Sequence, residues 1–172
     1  FTRFGARYEK YEVGYPRSVS NSTSTDVLVV GGGPAGSGAA IRLATAGHDV
    51  TLLERLDGPS PVPRGDLLVP GAVWELGELG LEAANSAAHP VLGTRLWSGD
   101  RSVALRWPQS PGHHDCGVVW NRADLDQRLR DRAAAAGAAV HHGALATAPI
   151  VERGFVRGAN VEMADGSSRE IR

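Results

Sequence analysis

The sequence predicts an α/β fold, a three-layer domain in which a parallel sheet is covered by helices and an antiparallel β-layer is added to it. Three observations predict it. Residues 26–30, Asp-Val-Leu-Val-Val, form a short apolar, β-branched run of the kind that fills a fully buried parallel strand. A glycine cluster ends that run. Residues 34–46 then place small residues (Gly36, Ala39, Ala40) on one side, with bulk from Ile41 and Leu43 and a stop at Gly47, which predicts a helix. Residues 48–54 return to a strand, so the unit is β-α-β, with parallel strands and a right-handed crossover.

The remaining elements follow in order. Residues 1–24 carry charges, aromatics and a Ser/Thr/Asn cluster without periodicity, and are expected to be a mobile tail; an arm built on Tyr8, Tyr11 and Tyr15 is the alternative. Between 57 and 71, Pro59, Pro61, Pro63 and Pro70 exclude a regular element until a helix over 72–79, where Val73, Leu76 and Leu79 recur at helical spacing and Gly80 ends it. Short strands are expected at 94–97 and 103–107. Asn121 is placed as the N-cap of a helix to 136, with Leu125, Leu129 and Ala133 on one face and Gly137 as its stop. Strands follow at 139–142, 155–163 and 168–172, the last two joined by an Asp165-Gly166 turn.

Composition narrows the function classes. A chain of 172 residues, 42% hydrophobic, supplies one ordinary core, assigned here to residues 25–172. A net charge of −1 and a pI near 6.7 create no broad positive field, which argues against nucleic-acid partners. No apolar run approaches the ~20 residues that span a bilayer, so no transmembrane segment is expected, and no signal-peptide layout is present. Cys116 is the single cysteine, which excludes an internal disulfide and a multi-cysteine metal site and fits a reducing, cytoplasmic setting. Phe1 at the start, and Arg172 directly after a strand-like stretch, read as fragment ends; the domain is expected to be incomplete at its C-terminus.

Chemistry enters with Gly31-Gly32-Gly33-Pro34-Ala35-Gly36, which contains G-x-G-x-x-G directly after a strand and directly before a helix. Gly31 suits the tight turn off the strand, Gly33 lets backbone approach a pyrophosphate, and Gly36 lets the helix lie close to the sheet. The helix start then directs unsatisfied N–H groups and about half a positive charge at the phosphates. Glu54, about 20 residues beyond the glycines, is placed to accept hydrogen bonds from both ribose hydroxyls of an adenosine, and it would repel a 2′-phosphate. This is the pattern of a Rossmann-like FAD/NAD(P)-binding domain, and the supported ligand moiety is adenosine diphosphate.

FAD and NAD share these features, and resemblance separates them. The stretch from Val27 to Arg55 resembles the opening of the glutathione-reductase-like flavoprotein superfamily. Residues 63–72, Pro-Arg-Gly-Asp-Leu-Leu-Val-Pro-Gly-Ala, resemble the C-G-D and x-L-x-P segment of geranylgeranyl-reductase-like proteins, and residues 118–126, Val-Val-Trp-Asn-Arg-Ala-Asp-Leu-Asp, are similar to that family's strand and helix start. The resemblance covers about residues 25–172 and implies FAD as a tightly held redox cofactor. It implies further that Gly65 and Asp66 line the flavin side, that Arg122 contacts the cofactor, and that Ala146 offers backbone groups to the adenine, alongside Gly31 to Gly36, Glu54 and Arg55. An ion pair of Arg122 with Asp124 or Asp126 is the alternative for that side chain. Two departures stand out. Arg64 occupies the position where those reductases often have cysteine, and no later strand is followed by the G-D or A-D-G segment usual in the group; Asp165-Gly166 follows an alternating strand and reads as a hairpin turn.

Other constellations carry less. Histidines 113 and 114 with Cys116, and the pair His141 and His142, lack the converging geometry that zinc needs, and no metal site is expected. The tryptophans Trp74, Trp97, Trp107 and Trp120 are expected as core or flavin-neighbouring bulk, and Arg95, Arg101 and Arg106 as decoration of a solvated sheet. No catalytic acid, base or nucleophile is nominated. The implied activity is that of a flavin-dependent oxidoreductase acting on a small molecule, prenyl or aromatic. Reduction of isolated prenyl double bonds and NAD(P)H-dependent monooxygenation are the two main readings, a halogenase the third. A non-catalytic nucleotide-binding module is the rival from another class.

Overall fold

The computed structural model describes residues 22–60, 66–82, 88–109 and 115–172. Gly65, Arg64, Tyr8, Tyr11, Tyr15 and histidines 113 and 114 lie outside the described residues.

Three parallel strands form the centre: β2 (Val27–Val30), β3 (Val50–Leu53) and β9 (Ala139–His141), in the order β2-β3-β9. Every residue of β3, Val-Thr-Leu-Leu, is buried, as expected of a strand covered on both faces. Helix α1 (Pro34–Thr45) connects β2 to β3, with Pro34 in its first turn, where the missing N–H is no loss. Helix α3 (Arg122–Ala135) precedes β9, and the Asn121 Oδ1 accepts from the Ala123 and Asp124 amides at 3.0 and 3.2 Å, satisfying two of the helix's orphan donors.

Alternation along β2 and β3 divides the core. Val27, Val29, Val50 and Leu52 join Ala40, Ile41, Leu125, Leu129 and Ala133 on the helical side. Leu28 and Leu53 turn to the other face and meet Ala144, Ala159, Val161 and Ile171. The latter belong largely to an antiparallel sheet of β10 (Leu145–Glu152), β11 (Phe155–Glu162) and β12 (Ser168–Ile171), edged by β1 (Ser22–Thr23). The layers are therefore helices, parallel sheet and antiparallel sheet. Each fully buried Leu among them contributes ~1.5–3 kcal/mol.

A second antiparallel group sets β8 (Gly117–Val119) between β4 (Leu67–Leu68) and β5 (His89–Val91), with α2 (Pro70–Glu78) alongside. A hairpin of β6 (Gly93–Ser98) and β7 (Arg101–Arg106) extends from it. Among the described residues no helix is long and apolar enough to cross a membrane.

Several expectations change. Ser22 and Thr23, expected within a mobile tail, instead pair in parallel with Glu170 and Ile171, and the Arg172 amide donates to the Thr23 carbonyl at 2.9 Å, because the outer edge of β12 offers unpaired backbone groups. Trp97 is 67% exposed, standing on a hairpin that no other described element covers, whereas Trp120 is buried in the core. Strand β10 was hidden by Pro149; the structure tolerates it because β10 is an edge strand and breaks register beside the proline. Asp165-Gly166 does turn the β11–β12 hairpin, with Gly166 at φ +78° and the Ser167 amide donating to Asp165 Oδ1 at 2.8 Å.

Candidate functional site

At the carboxyl ends of β2 and β3 the chain opens a cleft of about 270 Å³. Strand β2 delivers the glycine loop. Gly31 leaves it at φ +104°, in the left-handed region that glycine occupies without strain, while its amide donates to the Leu53 carbonyl at 2.8 Å. A Cβ on Gly31 or on Gly33 would meet nothing within 4 Å, because both face the open cleft. Gly36 is different: its Cβ would stand 1.9 Å from the Gly31 carbonyl oxygen, so the helix approaches the loop as closely as backbone allows. Pro34 and Ala35 form the first turn of α1, behind the cleft wall.

Glu54 follows β3 directly, and its carboxylate is tied to the loop. Its Oε2 accepts from the Gly32 amide at 2.8 Å and its Oε1 from the Leu56 amide at 3.0 Å. An ionised carboxylate has about four acceptor positions, so roughly one per oxygen remains for hydroxyl donors in the cleft. Gly32 is held on its carbonyl side as well, by the Ser37 hydroxyl at 3.2 Å and by Arg130 Nη1 at 3.1 Å. The Gly32 peptide is thus bonded on both its N–H and its carbonyl side.

The opposite wall comes from α3 and the start of β10. Ala123, Asp126 and Arg130 lie at i, i+3 and i+7 on one stripe of α3 and line the cleft. Ala144, Leu145 and Ala146 close it from the antiparallel sheet, and Arg55, Leu56, Gly58 and Pro59 rim it. Of the residues singled out from sequence, Gly31, Gly33, Glu54, Arg55 and Ala146 meet here.

Two others form a neighbouring node. Asp66 Oδ1 accepts from the Arg122 backbone amide at 3.0 Å, and the Asp66 carbonyl accepts from the Trp120 amide at 2.9 Å, which pins the loop before β4 to the start of α3. The Arg122 guanidinium bonds Asp126 Oδ1 at 2.7 Å, so the ion pair weighed as its alternative is present, and Arg122 does not line the cleft. Below it, the Trp120 indole N–H and Arg128 hold the Asp124 carboxyl below the ordinary carboxylate range.

Sequence reasoning missed Arg130, Asp126 and Ser37. The signal for the first two was a pair of charged residues, Asp126 and Arg130, at i and i+4 beside the apolar stripe 125/129/133, which makes two faces of α3 face inward. Ser37 carried no signal beyond its position one turn past the glycines.

The donor set fits the adenosine diphosphate half of FAD: amides and a helix start for the diphosphate, a carboxylate with spare acceptor capacity for the ribose, and a groove between Arg55 and Ala146 for the base.

Comparison with known proteins agrees. A family model described as an FAD binding domain matches residues 24–172. The chain is 38% identical to a menaquinone reductase of Mycobacterium tuberculosis over 151 residues, covering 87% of this chain and 36% of that protein. It is 32% identical to squalene monooxygenase SE1 of Panax ginseng over 156 residues, covering 89% of this chain and 29% of that one. A geranylgeranyl bacteriochlorophyll reductase-like structure from Thermoplasma acidophilum superposes with a TM-score of 0.76 at 31% identity, covering 88% of this chain and 38% of its own. The chain therefore spans about a third of the length of the proteins it matches.

Proposed function

We propose, from the premise that this chain belongs to the FAD-binding domain family, that residues 25–172 hold the FAD of an oxidoreductase that reduces isolated double bonds in a prenyl chain. The observation that carries the cofactor reading is the glycine loop locked to Glu54 across an open cleft, with Gly31 and Gly33 presenting backbone to that space. FAD supplies the electron transfer when bound. The chain's own residues bind and orient it: the loop and α1 hold the diphosphate, Glu54 the adenosine ribose, and Ala146 the adenine edge. Asp66, with Gly65 and Arg122, is assigned to the flavin side.

The substrate class is supported by three likenesses that converge on isoprenoid names: a geranylgeranyl reductase-like structure, a menaquinone reductase and a squalene monooxygenase. The last also favours a second reading, NAD(P)H-dependent monooxygenation on the same cofactor. A cytoplasmic setting is supported by the single cysteine.

Two measurements test this. The purified chain, incubated with FAD and desalted, is expected to retain visible flavin absorbance; a colourless protein overturns the cofactor reading. The full-length enzyme with reduced flavin, kept free of oxygen and given a prenylated substrate, is expected to return a product with two added hydrogens by mass spectrometry. A product formed only with oxygen and carrying an added oxygen atom selects the monooxygenase instead.

A further inference from the structure

The cleft holds two carboxylates, Glu54 and Asp126, and two guanidiniums, Arg55 and Arg130. Their environments are unequal. Arg55 is exposed at the rim, while Arg130 is only 5% exposed and has no ion pair among the described residues. Its Nη1 donates to the Gly32 carbonyl at 3.1 Å and its Nη2 to Gln127 Oε1 at 2.9 Å, and its Nε is buried with no hydrogen-bond partner. A buried cation that bonds only neutral acceptors is costly unless an anion comes near.

We propose that Arg130 is a positioning residue for a diphosphate in this cleft: it holds the Gly32 carbonyl and supplies positive charge against the Glu54 carboxylate, Asp126 being already paired with Arg122. The inference rests on the dinucleotide reading above and adds a residue to it. Gly32 sits between Glu54 and Arg130, since a Cβ there would meet Glu54 Cβ at 2.9 Å and Arg130 Cδ at 3.0 Å. Its N–H is turned to the acid and its carbonyl to the arginine. With that carbonyl occupied by Arg130 and Ser37, it does not compete with an anion for the amides at the start of α1, which have no side-chain cap. Without Arg130 the carbonyl loses its charged donor, and the Glu54 carboxylate is left with only the exposed Arg55 guanidinium among the cleft-lining cations, Asp126 being paired with Arg122. Both changes oppose phosphate and leave an uncharged adenosine nearly untouched.

That difference is the test. Adenosine and ADP are titrated calorimetrically into the full chain and into its Arg130→Gln and Arg130→Lys variants, with FAD fluorescence quenching in parallel and thermal unfolding of the ligand-free proteins as the control. Arg130→Gln is expected to weaken ADP and FAD by about tenfold or more while adenosine stays within about threefold. Arg130→Lys, which keeps the charge but not the planar fork, is expected to fall between, with ADP weakened about threefold relative to adenosine. A structural role alone would weaken adenosine and ADP equally, and that result overturns the proposal, as does ADP affinity unchanged in both variants. If the glutamine variant does not fold, the lysine variant decides by the same ratio. If the unaltered chain binds neither ADP nor FAD, the dinucleotide reading fails and this inference with it; if it binds both and the variants match it, Arg130 alone is refuted.

Discussion

The glycine-loop cradle and the β6–β7 hairpin are held in different ways. In the cradle, β3 is buried along its whole length, Leu129 and Ala133 of α3 are fully covered, and the Gly32 peptide is bonded on both its N–H and its carbonyl side. In the hairpin no residue is buried; Leu96, Trp97, Val103 and Leu105 stand in solvent, and the strands are joined by backbone pairing with surface contacts such as Arg95 over the Trp97 ring at 5.9 Å. The cradle needs tertiary structure to exist, and so it can hold charge and backbone at fixed positions. The hairpin needs only its own register.

The sharpest break of this contrast is Gly36→Ala. The new methyl would fall 1.9 Å from a backbone oxygen that has nowhere to move, so a loss of about 3 kcal/mol or more is expected in urea unfolding, together with loss of FAD binding. Unchanged stability would mean that the helix does not approach the loop as described. Next in size is a paired comparison. Leu129→Ala is expected to cost ~2–5 kcal/mol and Leu96→Ala no more than about 0.5 kcal/mol, although the side chains are the same. Equal losses would show that the hairpin is covered in solution.

Asn121→Ala removes the two amide contacts that start α3, and about 1 kcal/mol of stability should go with it, with weaker FAD retention if the stripe 123/126/130 shifts. The smallest expected effect concerns pH. The Trp120 indole and then Arg128 depress the Asp124 carboxyl in the folded state, so its stabilisation is present above the unfolded carboxylate value and is lost as pH falls through the lower folded one. Because Asp124 is 43% exposed, solvent screening keeps this to ~0.5 kcal/mol or less. The stability gap between the unaltered chain and Asp124→Asn should shrink as pH falls below about 4 and close once it is below the lower folded value; a gap that does not shrink would assign the effect to packing.

Legibility followed the range of the interactions. The β-α-β unit and the helices at α2 and α3 were readable because apolar spacing and glycine stops act within a turn or a strand. Strand β10 was not, since Pro149 argues against a strand unless one already knows that it lies at a sheet edge. Trp97 was misplaced because its residue type favours burial, while among the described residues no element packs over the hairpin that carries it. For Arg122 the sequence left open a pair with Asp124 or Asp126 beside a cofactor contact, and only the packed helix shows that Asp126, one turn along, is its ion-pair partner.

By itself, the sequence determined the glycine turn, the helix after it and the acid that follows the second strand, because each depends on backbone freedom or periodicity within a few residues. Tertiary structure alone decided that Arg130, 98 positions from Gly32, would be driven beneath the loop and left with an unpartnered Nε. The physical reason is that local chemistry fixes which groups a segment offers, while only packing one segment on another fixes which of those groups lose water and must find one another.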